Sequence, residues 1–103
     1  MHINDTPSKE IVPGIFGKYV HGASATFGYV RIVAGSTLAQ HQHMHEQITY
    51  IVEGELEMTI GGETLLLTAG MVHIIPSNTP HSAIAHRDCT VIDVFSPVRE
   101  DYR

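Results

Sequence analysis

The chain has 103 residues, 43% of them hydrophobic and 17% charged, and a formal net charge of −5. That length makes one domain with a modest core, so pairing with a second copy is a natural source of further stability. The acidic balance leaves no basic stripe to neutralise phosphates, which argues against a nucleic-acid partner. The single Cys89 excludes an intramolecular disulfide, and no apolar run approaches membrane-spanning length.

In chain order, residues 1–14 read as an N-terminal arm. They carry Asn4, Asp5, Pro7 and Pro13, show no periodicity and lack the apolar core of a signal peptide, so a cytoplasmic protein is expected. Residues 15–103 then read as a single domain of short strands separated by turn residues. The expected strands are Ile15–His21, Thr26–Val33, Gln47–Val52, Glu55–Ile60, Glu63–Leu67, Val72–Ile75, His81–Ala85 and Thr90–Phe95. Val, Ile and Thr dominate these segments, and no apolar period of 3.6 residues persists, so no helix is expected. Gly61-Gly62 between two alternating runs is a hairpin turn. In the last strand Val91, Asp93 and Phe95 share one face while Ile92 and Val94 share the other. Both faces being largely apolar, one should line a barrel and the other should pack on a second subunit.

Eight histidines are spread along the chain, and the densest stretch is His41-Gln42-His43-Met44-His45-Glu46-Gln47. If this stretch is extended, His41, His43 and Gln47 share one face, and a second strand beginning at His81 could lie against them. Three imidazoles and an amide oxygen would then converge, a donor set suited to a divalent first-row metal such as Zn, Ni, Fe or Mn. His45 has the spacing to join His43 and could instead sit at a turn or behind a ligand. His73 and His86 are read as non-ligands.

Two spaced patterns give this reading a family. Gly35-x5-His41-x-His43-x3-Gln47-x6-Gly54 resembles the first cupin motif, and Gly70-x5-Pro76-x-Asn78-x2-His81 resembles the second. The resemblance implies an all-β cupin double-stranded β-helix, or jelly-roll barrel, usually a homodimer, with one metal per subunit held by His41, His43, Gln47 and His81. Gln47 stands where the usual pattern has Glu, and Asn78 replaces a Gly, which is mild because Asn tolerates the left-handed conformation. The stretch His45–Gln47 running into Glu55–Glu63, and the tail Val91–Tyr102, resemble more narrowly the small KdgF-type cupins of pectin and alginate breakdown. That group opens 4,5-unsaturated monouronates to linear keto-deoxyuronates, so an acidic sugar is the expected small-molecule partner. Its Asp-x-Phe-x3-Arg pattern stands here as Asp93, Phe95 and Arg99.

The chemistry assigns roles. Asp93 should look into the barrel and could shuttle protons. Arg99 could clamp a substrate carboxylate in a two-pronged pair at the barrel mouth. Phe95 is expected as a pocket wall, and Arg31 is a further candidate for substrate binding. Tyr50 falls on the face opposite Gln47 and takes no catalytic role. Two other functions suit the same motifs. One is a metal-dependent dioxygenase of the quercetinase type, although the missing carboxylate at position 47 disfavours it. The other is a sugar- or uronate-binding cupin without catalysis.

Overall fold

A computed structural model describes all 103 residues as ten strands and two short 3-10 turns, Ile3–Asp5 and Glu100–Tyr102. The strands are β1 (Lys9–Val12), β2 (Ile15–His21), β3 (Thr26–Ile32), β4 (Thr37–His41), β5 (Glu46–Glu53), β6 (Glu55–Ile60), β7 (Glu63–Thr68), β8 (Val72–Ile75), β9 (His81–Ala85) and β10 (Cys89–Ser96). They form a six-stranded sheet, β1-β2-β3-β10-β5-β8, and a four-stranded sheet, β4-β9-β6-β7. Every pairing is antiparallel. The expected strands are all present, with ends within one residue. β1 and β4 are additional. Thr37-Leu38-Ala39-Gln40-His41 carries no clean apolar alternation, because a bulge between Leu38 and His41 interrupts its pairing with β9. Within the segment 1–14, Lys9–Val12 add an edge strand to β2.

Alternation builds the interior. On β3, Thr26, Gly28, Val30 and Ile32 are buried while Phe27 and Arg31 face out. On β5 the inward residues are Gln47, Thr49 and Ile51, and on β6 they are Leu56, Met58 and Ile60. The apolar members of these rows join Ile15, Leu67, Ile75 and Val91 in one core cluster. Along β5 and β10 the inward face changes character from apolar Ile51 and Val91 to polar Thr49, Gln47 and Asp93. The polar residues therefore gather toward one end of the barrel, in a cavity whose remaining wall is apolar and includes Ile15, Val30, Leu56, Met58 and Val91.

Gly61 and Gly62 both take positive φ, 56° and 85°, as the two-residue turn between β6 and β7 requires. Asn78 also has positive φ, 58°. Its backbone N–H donates to His43 O at 2.8 Å, and Ser77 Oγ donates to Met44 O. The loop before β9 thus holds the loop between β4 and β5.

Candidate metal centre

His41 ends β4, His81 begins β9, and the two are cross-strand partners. His43 lies in the connection 42–45, and Gln47 lies on β5 of the other sheet. The expectation that His41, His43 and Gln47 share one face of a single strand is corrected here. The chain leaves the four-stranded sheet after His41 and enters the six-stranded sheet at Glu46. The residues meet because the chain turns a corner between sheets, a corner pinned by the contacts of Ser77 and Asn78.

The imidazoles of His41, His43 and His81 each bring one nitrogen to within 4.8 Å of the others. Their tautomers follow from their backs. Nδ1 of His41 donates to Ala39 O at 3.0 Å, Nδ1 of His43 to His45 O at 3.0 Å, and Nδ1 of His81 to Thr79 O at 2.8 Å. A carbonyl can only accept, so each Nδ1 carries a proton, and in the neutral ring Nε2 then presents a lone pair. Burial holds His43 below the usual imidazole value and takes His81 down to about 4, with the Arg99 guanidinium adding to both shifts. Neutral rings have one proton each. Yet His43 Nε2 also faces Gln47 Oε1 at 3.1 Å, lone pair against lone pair. His81 Nε2 is buried with no partner at all. Electron-pair donors that converge without protons between them repel, and a cation among them removes the repulsion. The residues fit a divalent metal bound by three imidazoles and one amide oxygen.

The Gln47 amide has its orientation fixed from behind. Its Nε2 donates to Thr49 Oγ1 at 2.9 Å and to Asp93 Oδ1 at 3.2 Å. Thr49 Oγ1 itself donates to Asp93 Oδ1 at 2.8 Å. Asp93 stands on the inner face of β10 between Val91 and Phe95. Burial pushes its carboxyl up to about 6, and the bonds from Thr49 and Gln47, with the Arg99 charge, oppose that rise.

Arg99 lies beyond β10 and is 7% exposed. Its guanidinium sits 3.9 Å from the Tyr102 ring centroid and 4.9 Å from that of Phe95, and its Nε donates to Asp101 Oδ1 at 3.2 Å. Stacking between two rings holds the planar fork in place. Phe95 is buried and meets His43 edge-on, as a wall. His45 lies behind the cluster: its carbonyl takes the His43 proton, and its Nε2 donates to Val98 O at 3.2 Å. His86 is on the outer surface, 3.1 Å from Glu57, and His73 is outside the cluster.

The cavity is lined on its polar side by His41, Gln47, Thr49, His81, Asp93 and Arg99. Arg31 is not among these residues, which corrects its candidacy. It alternates with the buried Val30 and Ile32 and so points to the outer face of β3, beside Lys18 and Tyr29. Tyr19, Thr49 and Tyr102 line the cavity although the sequence reading gave them no role. Tyr19 left a signal: Gly17 on its own strand and Gly28 directly across on β3 are positions where a Cβ would run into its ring.

A jelly roll of two antiparallel sheets around a histidine cluster is the architecture of a cupin, and the cupin domain model matches residues 28–95. The chain belongs to the cupin family. It is 30% identical over 102 residues to the pectin degradation protein KdgF of Dickeya dadantii, covering 96% of this chain and 93% of that one. Among solved structures, KdgF from a Halomonas species superposes with a TM-score of 0.90 at 34% identity, covering 97% of this chain and 94% of that one. An RmlC-like cupin from Shewanella frigidimarina superposes with a TM-score of 0.94 at 28% identity, covering 100% and 94%.

Proposed function

We propose that this cupin is a metal-dependent enzyme that opens 4,5-unsaturated monouronates, the products of pectin or alginate lyases, to linear keto-deoxyuronates. One observation carries the reading. A single amide, Gln47, links the histidine cluster to a half-buried carboxylate, Asp93, in a cavity that also holds a positioned arginine. The similarity to two KdgF proteins, one of them named for pectin degradation, supports the choice of substrate.

His41, His43, Gln47 and His81 would hold one divalent ion, Zn, Ni, Fe or Mn. When bound, the ion supplies a Lewis acid that polarises a substrate oxygen. The remaining work belongs to the chain. Arg99 binds the substrate carboxylate and Phe95 bounds the ring. Asp93 takes the proton of the C1 hydroxyl as the bond from C1 to the ring oxygen breaks. C1 becomes an aldehyde, and the electron pair leaves on the former ring oxygen, now an enolate at C5. A proton returned to C4 gives the ketone, so the net change is an isomerisation and needs no oxidant.

The test is the ultraviolet absorbance of the conjugated enol ether acid. Protein loaded with metal should remove it faster than the spontaneous rate, and chelator-stripped protein should not until metal is restored. No acceleration with any of the four metals sinks the uronate reading. Oxygen uptake in its place would indicate a dioxygenase, and uronate binding without conversion would indicate a sensor.

We also propose a homodimer through the outer face of the six-stranded sheet. Two apolar rows cross four adjacent strands there: Phe27, Val94, Ile48 and Ile74, and beside them Tyr29, Ile92, Tyr50 and Val72. Ile74 is 56% exposed and Val72 60%. A contiguous apolar face of this kind favours a self-complementary contact with a second copy. Ile48→Lys is expected to convert the protein to a monomer in analytical ultracentrifugation. A wild-type protein that sediments as a monomer would overturn the dimer.

A further inference from the structure

Thr49 is 1% exposed on the inner face of β5, directly across from Asp93 on β10. Thr49 would be replaced without loss by valine if only its shape mattered. Its hydroxyl instead has two partners, and both are side chains of the candidate site. It gives its one proton to Asp93 Oδ1 and accepts one amide proton of Gln47. The same amide nitrogen also donates to Asp93 Oδ1, so the three polar atoms form a closed triangle. The Gln47 amide nitrogen is thereby held on the Thr49–Asp93 side, and its oxygen faces His43 Nε2.

We infer that Thr49 is a positioning residue that keeps the Gln47 amide oxygen turned toward the histidine cluster and holds the Asp93 carboxylate in its working rotamer. This deepens the proposed metal centre and rests on it. The alternative amide orientation would aim N–H groups at the cluster, where a cation belongs, and its oxygen at the Asp93 carboxylate. Thr49 resists that flip through its bonds to Gln47 and Asp93 and has no bond to the histidines themselves. Without the hydroxyl, the amide loses one of its two anchors, and Asp93 loses the shorter of its two donors.

The experiment is a Co²⁺ titration of metal-stripped protein, followed by visible absorbance, for wild type, Thr49→Val and Thr49→Ser. Valine keeps the shape and deletes the hydroxyl; serine keeps the hydroxyl and deletes the methyl. Thr49→Val is expected to weaken Co²⁺ binding by about 10–100-fold, the usual cost of removing a group that orients a ligand, and to shift the cobalt spectrum. Thr49→Ser is expected to bind within a few-fold of wild type with an unchanged spectrum. With unsaturated monouronate, Thr49→Val should lower kcat while leaving KM near wild type. A valine variant with wild-type cobalt affinity and spectrum overturns the inference. So does a serine variant as impaired as valine, because the methyl would then be what matters. Wild-type protein that binds no Co²⁺ overturns the metal centre and this inference together. Wild type that binds Co²⁺ but leaves uronates untouched overturns only the substrate reading, since the cobalt measurements need no substrate.

Discussion

Asp93→Asn is expected to keep its metal and lose turnover of unsaturated monouronates by about two to four orders of magnitude, the range for removing a general acid–base group. Metal retention follows from the contacts. The Asp93 oxygen that accepts from Thr49 and Gln47 has a counterpart in asparagine, so the Gln47 amide stays where it is. What disappears is the group that can take and return a proton. Metal content by elemental analysis, beside the absorbance assay, checks both halves, and wild-type turnover in this variant would remove Asp93 from the mechanism. The same substitution carries a stability prediction for the metal-free protein. The Asp93 carboxyl is raised from an ordinary 3.8 to about 6 in the folded state, chiefly by burial. A group with a raised folded pKa favours folding in its protonated form. Its contribution is therefore complete at pH values below about 4 and is lost as the pH climbs through about 6. At neutral pH the buried charge costs up to about 3 kcal/mol. Asparagine has no such charge. Stripped of metal, the variant should melt above wild type at pH 7, with the difference shrinking as the pH falls to about 4.

The barrel was legible because its strands alternate and its turns carry the residues that turns need. Gly61-Gly62 and the positive φ of Asn78 are cases where the backbone demanded what the sequence offered. The residues of the candidate site that the fold brings together were legible as residue types, but the route by which they meet was not. Strict alternation put His41, His43 and Gln47 on one strand face, whereas the loop 42–45 carries them from one sheet to the other. That loop is shaped by Ser77 and Asn78, more than thirty residues away, and no local pattern encodes such a contact. Arg31 was misplaced for a related reason. Its facing depends on the register of β3 in the sheet, which the buried Val30 and Ile32 settle only once that face is known. Thr49 carried no signal, since a threonine in a strand is ordinary until its partners across β10 are seen. The Gly17 and Gly28 pair could have pointed to Tyr19, because two glycines facing one aromatic ring mark a close approach of the ring to the sheet.

Gln47→Glu is expected to hold metal at least as tightly as wild type and to lose turnover by about 10–100-fold, the range for disturbing a group that orients a site. The usual cupin pattern has glutamate here, so a gain in metal binding is the intuitive result, and a carboxylate ligand does add attraction for the cation. The loss comes from the other end of the side chain. In the native protein the amide nitrogen sits 3.2 Å from Asp93 Oδ1 and 2.9 Å from Thr49 Oγ1 and donates to both. A glutamate would put a second acceptor oxygen there. Two carboxylates would face each other across the gap an N–H now fills, and Thr49 has one proton to offer the pair. Close carboxylates do not both stay ionised, so Asp93 must take a proton, share one or turn away, and each outcome removes it as a base. The proposed centre thus explains glutamine at position 47 by Asp93: an amide can accept toward a metal and donate toward a carboxylate at once. Pairing the change with Asp93→Asn separates the two effects. The Gln47→Glu, Asp93→Asn double variant should bind metal as tightly as Gln47→Glu, because the asparagine can donate to the new carboxylate, and should be no less active than Asp93→Asn alone. Wild-type turnover in Gln47→Glu would break the link between the metal ligand and the carboxylate on which the proposed mechanism depends.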